Sequence, residues 1–168
     1  MKPGNLVKGN KRARLLAAAL VSVGLLLISP VGLSSRVAPQ HWTITINIFP
    51  TTITFPAADP DLEPVVAANT PVHIQVTTSP ANRRWEVTIR AEGNLVSASG
   101  QVIPISTISW RASPNEVFRD GVLAAGQSLV LAQDRGQKEA DLSFYFQNSW
   151  DYVAGEYAQV ITFTASLL

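Results

Sequence analysis

The chain has 168 residues, of which 46% are hydrophobic and 15% are charged, and it contains no cysteine. The length favours a single domain. The lack of cysteine excludes a disulfide framework, a lipid-modified N-terminal cysteine and any thiolate metal site. A folded domain of this chain must therefore be stabilised by its core alone.

The first 35 residues have the layout of a secretory signal peptide. Residues 1–14 include five basic and no acidic residues, residues 15–28 form an apolar run, and Ser29 and Pro30 end that run before a zone of small residues. We predict a signal peptide, or an N-terminal membrane anchor where it is not removed, over residues 1–35. A single domain over residues 36–168 follows it. Export through this N-terminal signal would give a secreted or cell-surface location. A cysteine-free exported chain is typical of bacteria.

Removal of this leader would change the charge of the protein. It takes five of the thirteen basic residues and none of the twelve acidic ones, which leaves eight against twelve and a net charge of −4. Lys138 is then the only lysine. Because no basic stripe remains to neutralise phosphates, nucleic acid is not a predicted partner.

Alternation of apolar and polar residues predicts strands along the rest of the chain. Pro104 marks residues 102–110 as an edge strand. The apolar phases of the clearest early and middle strands are, in chain order, Trp42, Ile44, Ile46 and Ile48; Val72, Ile74 and Val76; Trp85, Val87 and Ile89; Ile108 and Trp110; and Leu129 and Leu131.

The clearest pattern lies in residues 141–166, where two alternating strands carry Phe144 and Phe163. We predict that these strands form a pair, and that its apolar face is covered by a layer built from Trp85, Val87, Ile89, Ile74 and Val76. No window of eleven or more residues after the leader shows the period of an amphipathic helix. About seven to nine short strands at turn spacings predict an all-β, immunoglobulin-like antiparallel β-sandwich.

Aromatic residues provide one candidate binding site. Trp150 and Tyr152 lie between the last two strands, where they could stack on a glycan or plug the open end of the sandwich. The other three tryptophans fall on the apolar phases of their strands, and we predict that they pack in the core; these are Trp42, Trp85 and Trp110.

Charged and nucleophilic residues indicate little chemistry. Asp59, Asp61 and Glu63 form a weak calcium candidate, which lacks the glycine and the distal glutamate of an EF-hand loop. His41 and His73 stand without any catalytic motif around them. We predict no catalytic residue, no cofactor and no enzymatic activity.

The end of the chain resembles a group of known proteins. Residues 152–157, which read Tyr-Val-Ala-Gly-Glu-Tyr, followed by Val160, Ile161, Phe163 and Thr164, are similar to the closing strand of exported bacterial β-sandwich surface proteins, the WxL-type domains and the spore-coat-U or Csu-like pilin subunits. The resemblance covers about the last seventeen residues. The chain lacks the WxL tripeptide of the first group and the disulfide that the pilins often carry.

Two functions follow from these patterns. The first is a structural or adhesive surface protein, with cell-envelope components or other copies of itself as partners. In its pilin version, the strand carrying Trp42, Ile44, Ile46 and Ile48 is donated to a groove of the next subunit. The second is a carbohydrate-binding module that uses Trp150 and Tyr152. A membrane contact is predicted only through an uncleaved N-terminal segment.

Overall fold

The computed structural model describes the backbone of residues 12–19 and all of residues 41–168, so most of the predicted leader lies outside the described residues. In these ranges the chain is all-β, with one turn of 3-10 helix at Ile105–Thr107. The strands are β1 (Arg12–Ala19), β2 (Thr43–Phe49), β3 (Thr52–Thr54), β4 (Val65–Ala67), β5 (Val72–Ser79), β6 (Arg84–Ala91), β7 (Leu95–Ser97), β8 (Val102–Ile103), β9 (Ile108–Ser113), β10 (Gly121–Val122), β11 (Ser128–Arg135), β12 (Lys138–Gln147) and β13 (Glu156–Leu167).

These strands form two sheets that pack as a sandwich. Sheet A has the order β11-β6-β13-β1-β3, with β7 beside β13 and β8 beside β7. Sheet B has the order β10-β9-β12-β5-β2, with β4 also beside β12. The pairs are antiparallel, except that β1 runs parallel to β13. The described strands outnumber the predicted seven to nine because five of them have only two or three residues, too few to show a period in the sequence.

The core lies between the two inner faces, and the predicted apolar phases supply it. β6 buries Trp85, Val87 and Ile89 from sheet A, while β5 buries Ile74 and Val76 from sheet B. Each such side chain contributes about 1.5–3 kcal/mol when it is fully removed from water. A core of this kind can stabilise a domain without disulfides.

The last two long strands do not form the predicted pair. β12 with Phe144 belongs to sheet B, and β13 with Phe163 belongs to sheet A. The segment between them therefore crosses from one sheet to the other. The predicted covering layer is correspondingly divided, because β5 lies beside β12 and β6 lies beside β13. Both edges of β12 are occupied by other strands, which leaves no place for β13.

Two of the three tryptophans predicted in the core are there, and one is not. The indole of Trp85 donates to the carbonyl of Gly136 at 3.0 Å, and that of Trp110 donates to the carbonyl of Arg119 at 2.7 Å. Trp42 is 49% exposed, so its predicted burial is wrong. It precedes β2 and lies beyond the end of the sheet, where the guanidinium carbon of Arg83 sits 3.3 Å from its ring centroid.

Candidate functional site

A cavity at one end of the sandwich is lined by the segment after β3 and by the segment that joins β12 to β13. Its empty space, counted together with the open solvent at its mouth, is about 350 Å³. Its walls are mostly apolar and include four aromatic rings, those of Phe55, Phe146, Tyr152 and Tyr157. The ring of Phe146 lies 5.9 Å from that of Phe55 and 6.1 Å from that of Tyr152. Among the described residues that line it, Tyr152 and Tyr157 are the only ionisable ones.

Tyr157 fixes the loop that closes this cavity. Its hydroxyl donates to the carbonyl of Val153 at 2.7 Å, four residues back along the chain. Burial raises the pKa of Tyr157 above its usual value, because the phenolate would lose its hydration there. The bond ties the start of β13 to the loop of residues 148–155. Asn148 adds a second tie, since its side-chain amide donates to the carbonyl of Ala58 at 3.1 Å.

The structure separates the two aromatic residues predicted to bind a glycan. Tyr152 is half-buried and packs against the core beside Phe146. Trp150 is 61% exposed, and its indole N–H donates to a carboxylate oxygen of Asp61 at 3.0 Å. The pair therefore does not form one open platform. One ring closes the cavity, and the other is held outside it.

The acidic loop of residues 59–63 is closed by hydrogen bonds of its own, and it accepts a further one from Trp150. The carboxylate of Asp59 accepts the backbone N–H of Asp61 at 3.0 Å, and the backbone carbonyl of Asp59 accepts from Glu63 at 2.7 Å. Within residues 41–168, no group of three or more His, Cys, Asp or Glu side chains is placed to hold a metal ion. Asp59, Asp61 and Glu63 therefore do not form such a group.

The predicted donor strand lies in its own sandwich. β2 pairs with β5 through seven residues and has no second neighbour among the described strands, so it is the edge of sheet B. Ile46 is buried, and Ile44 and Ile48 are half-buried against the core. The inward phase is therefore as predicted except at Trp42.

Sequence reasoning missed the site on the other side of the sandwich, a strand slot between β13 and β3 that β1 occupies. β1 pairs in parallel with β13 from Arg12 opposite Glu156 to Ala19 opposite Phe163. On its other side, β1 pairs with β3 over three residues. β3 is also bonded to the rest of the domain without β1. The side chain of Asn69 accepts the backbone N–H of Thr54 at 3.0 Å, and the backbone N–H of Asn69 donates to the carbonyl of Thr54. Both walls of the slot thus belong to residues 41–168.

The two histidines are not placed together for catalysis. His41 is exposed ahead of β2, and His73 is on the outer face of sheet B, where its Nδ1 lies 2.9 Å from a carboxylate oxygen of Asp141. In the described ranges, no helix has the length and apolarity needed to cross a membrane.

Comparison with known proteins gives no assignment. No protein-family model matches the chain, and no curated protein matches it.

Proposed function

We propose that this chain is a non-enzymatic structural or adhesive β-sandwich protein of the cell surface, which assembles with other copies of itself by exchange of a β-strand. The strand slot between β13 and β3 carries this proposal. The segment that occupies the slot, Arg12–Ala19, belongs to the predicted signal peptide. A protein that loses its leader on export loses the strand that fills its own sheet.

An empty slot would favour the entry of another strand. Eight residues of β13 have register partners on β1, and the backbone groups of β13 on that side would be left without them. Unpaired backbone N–H and C=O groups at a sheet edge are a template for a strand from another chain. β3 would at the same time lose its only partner among the described strands, although Asn69 still holds it.

The donor in this proposal is the segment carrying Trp42, Ile44, Ile46 and Ile48 of another copy. As an edge strand, β2 has one ladder to break on leaving its own sheet. It carries no charged residue, and its isoleucines alternate as a strand between two others requires. Residues 36–41 would connect the donated strand to a free N-terminus.

The immunoglobulin-like character of the sandwich belongs to the same proposal. Tyr157, the second residue of β13, hydrogen-bonds a backbone carbonyl four residues upstream. A tyrosine near the start of a strand that bonds the backbone a few residues upstream is a feature of immunoglobulin-like sandwiches, where it begins the penultimate strand and not, as here, the last one. It lies within the residues that resemble exported bacterial surface proteins, which supports an envelope location and envelope partners.

The experiment compares the chain beginning at Arg36 with the full chain by light scattering. We expect the shorter chain to form polymers and a synthetic peptide of residues 12–19 to reduce them to monomers. A peptide of the same composition in scrambled order is the control. A shorter chain that stays monomeric, with a melting temperature that the peptide does not change, would show that the slot takes no strand.

Carbohydrate binding through the loop aromatics is the second candidate, favoured by one observation. The indole of Trp150 is largely exposed, and its N–H is oriented by Asp61. An oriented, exposed ring can stack on a sugar. Loss of glycan binding in Trp150→Ala, with Tyr152→Phe unaffected, would support this function.

A further inference from the structure

The outer face of sheet B carries an ordered set of polar side chains around one exposed aromatic ring. We propose that it binds an uncharged polysaccharide, at a site distinct from Trp150. We call it the Phe49 face and define it by six residues of β2, β5 and β12, namely Asn47, Phe49, His73, Gln75, Glu139 and Asp141. The proposal is independent of strand exchange, because a monomer with β2 in place presents the face.

The register of three strands brings these residues into two rows. Asn47 is opposite Gln75, which is opposite Glu139. Phe49 is opposite His73, which is opposite Asp141. Neighbouring strands lie about 4.8 Å apart, so each row extends roughly 10 Å across the sheet. All six positions fall on the phase of their strands that points away from the core.

Hydrogen bonds within the rows hold the polar groups in place. The amide of Asn47 donates to that of Gln75 at 3.4 Å, and the amide of Gln75 donates to Glu139 at 3.1 Å. In the other row, His73 lies 2.9 Å from Asp141. Each bond uses only part of the capacity of its groups, since a carboxylate has a second oxygen and an imidazole a second nitrogen. The remaining atoms can bond the hydroxyls of a ligand without reorganisation.

Phe49 gives the face its apolar element. Its side chain belongs to the last residue of β2 and is 76% exposed, more than any other described aromatic residue. A sugar ring presents an apolar C–H face together with equatorial hydroxyls, so it matches one ring flanked by amide, imidazole and carboxylate groups. A protein partner would be matched by several apolar anchors. The two carboxylates disfavour an acidic polymer, which is why the ligand is assigned as uncharged.

The test is calorimetric titration of the full chain with hexasaccharides of β-1,4-linked glucose, xylose and N-acetylglucosamine. We expect at least one to bind, Phe49→Ala to weaken it by tenfold or more, and Phe49→Trp to retain it. Asn47→Ala, a change at an exposed polar position, should weaken binding by about threefold, as expected for the loss of one modest hydrogen bond. Val102→Ala is the control, because it changes an exposed apolar residue of β8 in sheet A and should bind as the parent chain does. Trp150→Ala distinguishes this site from the candidate at the end of the sandwich.

Three outcomes would overturn the proposal. The first is that none of the three hexasaccharides binds. The second is that Phe49→Ala binds as tightly as the parent chain, or changes only the oligomeric state, which would assign the face to contact between copies. The third is that Trp150→Ala abolishes binding, which would place the glycan at the end of the sandwich. Melting curves establish that each variant is folded.

Discussion

Replacement of Tyr157 by phenylalanine tests whether one hydroxyl holds the loop at the open end of the sandwich. The change keeps a buried ring against the cavity and removes only the hydrogen bond to the carbonyl of Val153, which is 2.7 Å long. Such a bond contributes about 0.5–1.5 kcal/mol net. Val153 is 56% exposed, so water can reach the abandoned carbonyl. We therefore expect a loss of about 1 kcal/mol and a fall in melting temperature of roughly 3–5 °C for a domain of this size.

The same variant should change the dependence of stability on alkaline pH. Burial raises the pKa of Tyr157 in the folded state above that of the unfolded chain. The folded state therefore keeps its proton where the unfolded state loses it, and stability falls as the pH rises above the unfolded value, about 10 for tyrosine. Tyr157→Phe lacks this loss, so the difference in unfolding free energy between parent and variant should shrink above pH 10.

The assay is guanidinium denaturation of the parent chain and the variant at pH 7, 9 and 10.5. These pH values lie on both sides of the titration of tyrosine in the unfolded chain. Tyr145→Phe is the control, since Tyr145 lies on the outer face of sheet B and outside the cavity. The reasoning would be refuted by a Tyr157→Phe protein as stable as its parent at pH 7. A difference that stays constant from pH 7 to 10.5 would refute the account of the pKa alone.

Three further predictions concern single side chains. Trp85→Phe should lower the free energy of unfolding by about 2–4 kcal/mol in the same assay, because it leaves a void in the core and removes a buried indole hydrogen bond. Asp61→Ala should make the fluorescence of Trp150 more accessible to acrylamide, because the indole loses the acceptor that orients it; unchanged quenching would contradict that role. Desolvation tends to raise the pKa of Asp134, but it is outweighed by a bond from the next backbone N–H and by Lys138, so the pKa is lowered. At a pH above the pKa of aspartate in the unfolded chain, about 4, the parent should therefore have a higher free energy of unfolding than Asp134→Asn. The difference should vanish as the pH falls through the pKa of Asp134 in the folded state.

The core of this sandwich could be predicted because its signal is local. Period-two alternation identifies which side of a strand is apolar, and Phe144, Phe163 and Trp85 are buried as their patterns predicted. Alternation does not tell which strand lies beside which. β12 and β13 are consecutive and both bury a phenylalanine, yet they lie in opposite sheets, since the partners of each are determined by contacts with residues far away in the chain.

The exception at Trp42 has a similar cause. The residue continues the alternating phase of β2, and in the sequence nothing distinguishes it from Ile44 or Ile46. It is exposed because β2 begins one residue later, so the ring lies beyond the end of the sheet, where Arg83 from the turn after β5 stacks on it. A pattern shows the direction of a side chain, and the end of the sheet decides whether anything lies in that direction.

The candidate sites depend even more on distant pairs. Trp150 and Asp61 are 89 residues apart, and the rows of the Phe49 face join β2, β5 and β12 through ladders that no spacing in the sequence predicts. Aromatic residues are the one signal for such sites that the sequence offers. It identified Trp150 but not Phe49, which reads as the end of an ordinary strand before Pro50.

The sequence does not reveal the strand slot, because the composition of residues 12–19 is compatible both with a signal peptide and with a strand. A run of leucine and alanine is what a signal peptide requires, and a short apolar run is equally consistent with a strand inside a sheet. Arg12–Ala19 has such a position between β13 and β3. If export cleaves the leader, this strand is lost from the sheet while both neighbours remain. In our proposal, cleavage before folding leaves the sheet to be completed by another copy, whereas folding before cleavage lets the chain complete its own sheet.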